Sequence, residues 1–495
     1  PRRVLEVGVG SGLLLAKLAP GCEEYWGTDF SQVVIDRLGV QVAEADLGER
    51  VRLRCQPADV TEGLPQGHFD TVVLNSVVQY FPDAGYLERV IESCLGLLAP
   101  GGTVYLGDIR NLRLLDGLQL GILAGRLQQD ADSHSVLAQV QQKVAAEEEL
   151  LVAPEFFTDL GERLNEIALV DIRLKRADYH NELSGQRYEV AIHTSARTHD
   201  GFHHEQELAW DEVSGGIDGV AERLRAEPVA LRVTGVPNSR VLAEYQAMRQ
   251  LERGHELSRV LSRLHSGNGS VDGVDPEAMH ALGESLGYRV VTTWEGSGRD
   301  HCFDAVFHSA TASGEPASFR PGDHDVPSSE HTNNPTKVRR LRGLGDRLRP
   351  QLRELATARL PEFMVPAAFV LMDRVPVTAS GKRDLRALPA PDFTAPADSS
   401  RGPRTPREEL MCRLFCEVLG LEQVGAEDDF FDVGGHSLLV TRLASRVRAE
   451  LGLELPVRKV FETRTVERIA EWLEQAPKTR RPALKRMPRP NGDSA

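Results

Sequence analysis

Two stretches hold residues whose types and spacing could do chemistry. In "FFDVGGHSLL", residues 430–439, Ser437 follows Gly434, Gly435 and His436 and stands just before the helix-like run "LLVTRLASRVRAEL". As an N-cap, its hydroxyl would accept a hydrogen bond from the first free amides of that helix, worth about 0.5–2 kcal/mol. As a chemical attachment point, it would present its oxygen where two glycines keep the approach open. It is not a hydrolase nucleophile elbow: G-x-S-x-G needs glycine at 439, where leucine stands. His436 then has no evident catalytic task and reads as a turn or recognition residue.

The second stretch is "VLEVGVGSG", with Gly8, Gly10 and Gly12 between a strand-like run and the helix-like "LLLAKLA". Glycines in a strand-to-helix turn let a ligand approach the backbone closely. The spacing is not the dinucleotide G-x-G-x-x-G, because position 13 is leucine. Acidic residues recur at the ends of the next strand-like runs. Glu6 precedes the glycines, Asp29 ends "YWGTDF", where a carboxylate can accept both ribose hydroxyls, and Asp59 follows "VRLRCQPA", where it can accept from an adenine amine. Asn75 and Ser76 end "FDTVVLNS".

The elements that must position these groups follow from the pattern. Residues 1 to about 200 alternate apolar strand-like runs with helical ones, the rhythm of a parallel α/β sheet. The strands expected are "RVLEVGV", "EYWGTDF", "VRLRCQPA", "FDTVVLNSV" and "GTVYLGDI". From 201 to 308 come the strand "VALRVTGVP", the helix "NSRVLAEYQAMRQLE" with Asn238 or Ser239 as cap, the helix-then-strand "PEAMHALGESLGYRVVTTWEG", and the strand "CFDAVFHS". Residues 309–335 lack periodicity and read as a linker. Between 336 and 391 a helix stopped by Pro361 precedes the strand "AAFVLMDRVP" and the turn "TASGKRD"; a second linker spans 392–404. Three helices between 405 and 476 then give way to a basic, Pro-rich tail, 477–495, which is expected to be disordered.

At 495 residues the chain is long enough for about three domains. Its formal charge of −15 disfavours nucleic acid as main partner. No run approaches the roughly 20 apolar residues of a membrane span, and "PRRVLEVGVGSG" has no signal-peptide features. It opens directly on a strand-like run, as a fragment of a longer chain would. The six cysteines form no C-x-x-C pair; Cys412 and Cys416, on one helix face, read as small core residues, and no metal site is expected.

The glycine turn with its acidic series resembles the class I methyltransferases that use S-adenosylmethionine. The stretches "VLNSVVQYFP", "LAPGGTVYLGDIR" and "HNELSGQRYEV" resemble, more closely, the N-methyltransferase domains embedded in nonribosomal peptide synthetases, over residues 1–308. The resemblance implies a Rossmann-like α/β domain in which Glu6, Gly8, Gly10, Gly12, Asp29, Asp59, Asn75 and Ser76 bind the cofactor. Tyr80, His180, Asn181 and Glu182 are the candidates for shaping the acceptor pocket. Each keeps a plainer alternative: Tyr80 as a core aromatic, His180 as the cap of a local turn, Glu182 as a solvated carboxylate.

"LPEFMVP" with "FVLMDRVPVTASGKRDLRAL" resembles the end of an adenylation domain of the same synthetases, a small α+β piece. Lys382 matches the lysine that such a final turn places against an acyl-adenylate, where an ammonium would offset developing negative charge. The adenylation core and its phosphate loop are absent, so the resemblance implies an interrupted adenylation domain. This chain alone is not expected to activate an amino acid.

"DDFFDVGGHSLL" resembles the modification motif of peptidyl carrier domains, all-α four-helix bundles. Ser437 matches the residue that receives 4′-phosphopantetheine, and the helix after it would offer free amides and a positive dipole end to the phosphodiester. The family implies as partners the rest of the adenylation domain, further synthetase modules, a phosphopantetheinyl transferase and a small MbtH-like activator in the cytoplasm, with no nucleic acid and no membrane. The resulting expectation is a multidomain module that N-methylates an aminoacyl thioester held on Ser437. Two alternatives stay open: a methyltransferase remnant serving as carrier scaffold, and methylation at carbon or on a side chain.

Overall fold

The structure is a computed structural model. It describes residues 2–125, 133–195, 205–266, 273–294, 296, 299–311, 331–361, 401–421, 423–431, 433–435 and 437–475, with scattered positions between 364 and 388. It separates into two units, residues 1–340 and 341–495.

In the first unit the apolar runs become strands, the central ones buried on both faces as parallel strands are and the edge strand β3 largely exposed. They are β1 (Arg3–Val7), β2 (Glu24–Asp29), β3 (Val51–Cys55), β4 (Phe69–Asn75) and β5 (Leu98–Arg110), alternating with α1 (Leu13–Leu18), α2 (Gln32–Glu44) and, before β5, α3 (Ala84–Leu97). The runs α4 (Leu115–Ala124), α5 (Ser133–Ala145), α6 (Glu155–Arg163), β6 (Leu169–Leu174), α7 (Glu182–Gly185) and β7 (Arg187–His193) follow. The sheet order is β3-β2-β1-β4-β5-β7-β6. β1 lies between β2 and β4, parallel to both, so the order reverses beside β1, where open α/β sheets bind ligands at the carboxyl ends of their strands.

β7 is antiparallel to β5 and to β6. Its first residue, Arg187, is therefore paired with Arg110, the last of β5. This reversal brings the segment before β7, including α7, back to the edge where the parallel strands end.

A second sheet, β10-β11-β9-β8, uses β8 (Glu205–Ala209), β9 (Ala230–Pro237), β10 (Tyr288–Trp294) and β11 (Cys302–Ser309), with α8 (Ile217–Leu224), α9 (Leu242–Glu252), α10 (Leu257–Ser266) and α11 (Pro276–Ser285). The two sheets share one core that runs from Leu5, Val72 and Val104 to Trp294 and Phe303. α4, α5, α9 and α10 enclose a smaller core around Leu120, Val140, Met248 and Val260.

The expected cap of α9 is displaced. Val241 occupies the cap position and offers no side-chain bond. Asn238 instead closes a turn upstream: its Oδ1 accepts from the Arg240 amide at 3.0 Å, and its carbonyl accepts from Val241 and Leu242. An Asn side chain that bonds its own backbone two residues on competes with capping.

α12 (Pro335–Arg359) is longer than the pattern suggests, running through Pro350 and ending two residues before Pro361. The strand expected over 367–376 is not formed at the described residues 368–372. A strand needs a ladder partner for its backbone groups, and the Phe369 carbonyl is taken by the Arg349 guanidinium at 3.2 Å.

Among its described residues the second unit contains, after α12, the helices α13 (Pro406–Leu419), α14 (Ser437–Leu451), α15 (Val457–Thr463) and α16 (Val466–Gln475). Thr405 caps α13, its Oγ1 accepting from the Glu408 amide at 3.1 Å, and Gly420 ends it in the left-handed region at φ +72°. Positions spaced three and four apart, such as Val440, Leu443 and Val447, face Phe415, Phe430, Val460 and Ile469 in one core. Cys412 sits in that core with Cys416 packed against it, both as free thiols. Among the described residues no helix is long and apolar enough to cross a membrane.

Within the second sheet the Arg232 side chain is 1% exposed and pairs with Asp304 at 3.0 Å. Removing one partner of such a pair withdraws a carboxylate from a guanidinium that stays buried, which is costly. Asp304→Ala should destabilise the first unit by about 3–5 kcal/mol, read as a lower denaturant midpoint for that unit with the helical unit's transition unmoved.

Candidate functional site

The side of the candidate site around the glycine turn is built from backbone. Gly8 and Gly12 both have φ +80°, and an added Cβ would lie 2.5 Å from Val77 Cγ2 and 2.6 Å from Leu38 Cδ2 respectively. Gly10 faces open space: a Cβ there would meet only the Gly8 carbonyl, at 3.9 Å. The loop can therefore hug its own core while leaving one face free for a ligand. Asp29, buried at the end of β2, ties the loop down: Oδ2 accepts from the Gly10 amide at 3.1 Å and Oδ1 from the Ser31 amide at 2.9 Å.

The other residues of the series gather at the same edge. Asp59 Oδ1 accepts from the Tyr86 hydroxyl at 2.8 Å. Asn75 Nδ2 donates to Ser76 Oγ at 3.3 Å. Ser76, at φ +56°, donates to Asp108, at φ +62°, and Asp108 is also paired with Lys175. Glu6 lies beneath the loop, 4% exposed, with Oε2 bonded to the Tyr25 hydroxyl at 2.6 Å. Burial pushes its carboxyl up to about 7, against the lowering effect of that hydrogen bond. Leu13, Phe30 and Val33 remain at least 72% exposed beside the loop. An open glycine loop, a fixed carboxylate and an apolar rim together fit a nucleoside-bearing cofactor.

The other side of the candidate site is a network of charges. Tyr80 is 65% exposed, which removes the core-aromatic alternative. His180 Nε2 lies 2.9 Å from Asp275, before α11, rather than capping its own turn. Asn181 caps α7 in a reciprocal box with Ser184. Glu182 is not simply solvated: it pairs with Arg187 at 3.0 Å and approaches Arg110 Nε at 3.9 Å. Arg110 also holds Glu149 at 2.8 Å and Glu147 at 3.2 Å.

Three carboxylates thus surround one guanidinium at the end of β5. Next to them, Gln79 donates to the Ser76 carbonyl at 3.0 Å, and its own carbonyl accepts from the Leu150 amide at 2.8 Å. Arg110, Glu147, Glu149, Gln79, Asp108 and Lys175 were not singled out from the sequence. Phe30 was also missed, although an apolar residue directly after Asp29 with no core role was a usable signal. Lys382 lies outside the described residues.

In the second unit the loop before α14 is tightly anchored. The Phe430 amide donates to the Arg464 carbonyl at 2.8 Å and the Gly435 amide to the Phe430 carbonyl at 2.7 Å. Arg464 Nε pairs with Asp429 at 2.6 Å. Phe431 stacks on Phe461 at 4.8 Å. α14 then starts at Ser437, so the serine's backbone opens a 15-residue helix. His436 and the side chain of Ser437 lie outside what the structure describes.

A model described as a methyltransferase domain matches residues 5–104, and one described as a phosphopantetheine attachment site matches 409–473. The chain is 39% identical over 99% of its length to the probable non-canonical nonribosomal peptide synthetase CymA of Salinispora arenicola, and covers 6% of it. It is 35% identical over 95% of its length to the chondramide synthase cmdD of Chondromyces crocatus, and covers 12% of that protein. A solved structure described as a non-ribosomal PCP domain is 44% identical over 14% of this chain and 91% of its own, with a TM-score of 0.14.

Fold and sites together define an S-adenosylmethionine-dependent methyltransferase domain joined in one chain to a phosphopantetheine carrier domain. Over nearly its whole length the chain is similar to nonribosomal peptide synthetases, and it spans 6% and 12% of the length of the two just named.

The raised Glu6 carboxyl has a signed consequence. Between its ordinary 4.5 and about 7 the folded state holds a proton that the unfolded state has released. The stability of the first unit should therefore fall as pH rises through that window. Glu6→Gln should flatten this part of the profile, measured by denaturant unfolding at several pH values.

Proposed function

We propose that this chain is the part of a synthetase module that methylates the α-amino nitrogen of an aminoacyl thioester carried on the pantetheine arm of Ser437. The observation that carries the choice of nitrogen is the acceptor edge, where Glu147, Glu149 and Glu182 face two cations, Arg110 and Arg187, and leave one carboxylate in excess. Excess negative charge beside the glycine loop suits an amine. Methylation at carbon would require a free base to remove a C–H proton, whereas each of these carboxylates is held by Arg110.

Bound at the loop, S-adenosylmethionine supplies a methyl group on a sulfonium. The chain's own residues have mostly to position: Asp29 and the glycine turn on one side, Tyr80 and the Arg110 network on the other. Orientation of this kind can be worth about 7–11 kcal/mol. A substrate tethered by a flexible arm reaches such a site at high effective concentration.

On the same reading residues 1–308 form the methyltransferase domain. Residues 336–391 are the end of an adenylation domain interrupted by it, with Lys382 in its final turn, and 405–476 form the carrier. The partners are the remaining adenylation domain and modules, a phosphopantetheinyl transferase and an MbtH-like activator, in the cytoplasm.

The test is intact-protein mass spectrometry of the full chain, loaded with an aminoacyl-pantetheine arm, before and after addition of S-adenosylmethionine. One added methyl group that fragments with the amine is expected. Ser437→Ala should not load. Asp29→Ala should load but bind S-adenosylmethionine at least about tenfold more weakly by calorimetry, in line with the loss of charge-assisted hydrogen bonds. A methyl group mapped to carbon or to the side chain, or loading without any methyl gain, would overturn the nitrogen assignment.

A further inference from the structure

Residues 331–340, which lead out of the first unit into α12, are stitched to the acceptor edge. Thr332 forms an antiparallel bridge with Val152. The His331 carbonyl accepts from the Ala153 amide at 2.8 Å, and its ring lies 3.1 Å from Asp159. Asn333 uses both ends of its side-chain amide on one stretch of backbone: Oδ1 accepts from the Leu151 amide at 2.8 Å, and Nδ2 donates to the Glu149 carbonyl at 2.8 Å. Thr336 Oγ1 donates to the Pro82 carbonyl at 2.7 Å, and Arg339 to the Glu148 carbonyl at 2.9 Å.

The stretch that Asn333 grips has its other side on the acceptor network. The Glu147 and Glu149 side chains hold Arg110. The Leu150 amide meets the Gln79 carbonyl at 2.8 Å, one residue before Tyr80, and the Val152 amide meets the Arg110 carbonyl at 2.9 Å. The Val152 carbonyl accepts from the buried Tyr188 hydroxyl at 2.8 Å. Residues 147–153 carry no helix or ladder of their own beyond one isolated bridge, so their place is set from two sides. On one side lie Gln79, Arg110 and Tyr188; on the other lies the departing chain.

We propose that Asn333 is a positioning residue for methyl transfer, holding residues 147–153 so that the Arg110 network and Gln79 keep the acceptor edge in register with the cofactor loop. The proposal rests on the function inferred above. Asn333 touches neither cofactor nor acceptor; it acts through backbone. A displacement of the reacting groups by about an ångström can cost about a hundredfold in rate, so loss of two anchoring hydrogen bonds should be felt at the chemical step.

The experiment uses the full chain loaded on Ser437. In Asn333→Ala, single-turnover methyl transfer should slow by about tenfold. S-adenosylmethionine affinity by calorimetry should be unchanged, because the glycine loop lies elsewhere. Amide exchange should quicken at 150–153 and stay unchanged in β1 and β2. Arg339→Ala, which frees only the Glu148 carbonyl, should shift transfer and exchange in the same direction by less, and serves if Asn333→Ala does not fold.

Faster exchange with an unchanged transfer rate would show that the grip is only structural and overturn the proposal. Unchanged exchange and transfer together would do the same. If transfer and cofactor affinity fall together, the effect is a general loosening and the positioning role fails. A wild-type chain that transfers no methyl to the amine would sink the proposed function itself, and with it this proposal.

Discussion

A guanidinium whose side chain is 9% exposed must find partners, because burying it unpaired would cost several kcal/mol. Arg110 sits at the end of β5, where the sheet delivers it to the functional edge. Its charge is answered from two directions: Glu147 and Glu149 from the segment after α5, and Glu182 from α7. Meeting that requirement folds two remote pieces of chain over the end of the sheet. This end of the sheet is thus shaped first by the cost of an unpaired charge.

The topology makes that solution reachable. If β7 ran parallel to β5, the segment before it would lie at the opposite edge, away from the glycine loop. Because β7 runs antiparallel, with Arg187 beside Arg110, α7 returns to the loop's edge. Its capping box through Asn181 and Ser184 fixes a four-residue helix that would be marginal in isolation. Arg187 then shares Glu182 with Arg110, so the strand that made the reversal also neutralises part of the charge it brought there.

The halves of the site differed in how far the sequence disclosed them. The cofactor half is local. Gly8, Gly10, Gly12 and Asp29 lie within one strand-helix-strand unit, their spacing demands a particular backbone, and β1 to β5 formed where alternating apolar runs placed them. The acceptor half is assembled over long separations: Arg110 to Glu149 across 39 residues and Asn333 to Leu151 across 182. Nothing in the local pattern of "AAEEEL" marks two of its three glutamates as partners of one arginine, and "HTNNP" reads as linker until its contacts are seen. Tyr80 was ambiguous because an aromatic in an apolar run fits a core as well as a cleft. The strand expected near 370 failed because apolar alternation supplies a face and not a ladder partner.

Glycine serves the two sites for different physical reasons, and the difference bears on what each site can do. In the first unit Gly8 and Gly12 allow left-handed turns that press the loop against Val77 and Leu38 and leave Gly10 open. They shape a surface for a ligand that comes and goes. In the second unit Gly435 has no side chain because the Phe430 ring and carbonyl fill that space, with an added Cβ falling 2.2–2.3 Å from them. Phe430 is fully buried against Phe415, their rings 5.0 Å apart. The loop is thereby clamped to the bundle core, and the first turn of α14 inherits a fixed position. Under the proposed function this matters more than a pocket would: a tethered arm supplies reach, and the bundle supplies a backbone held in one place.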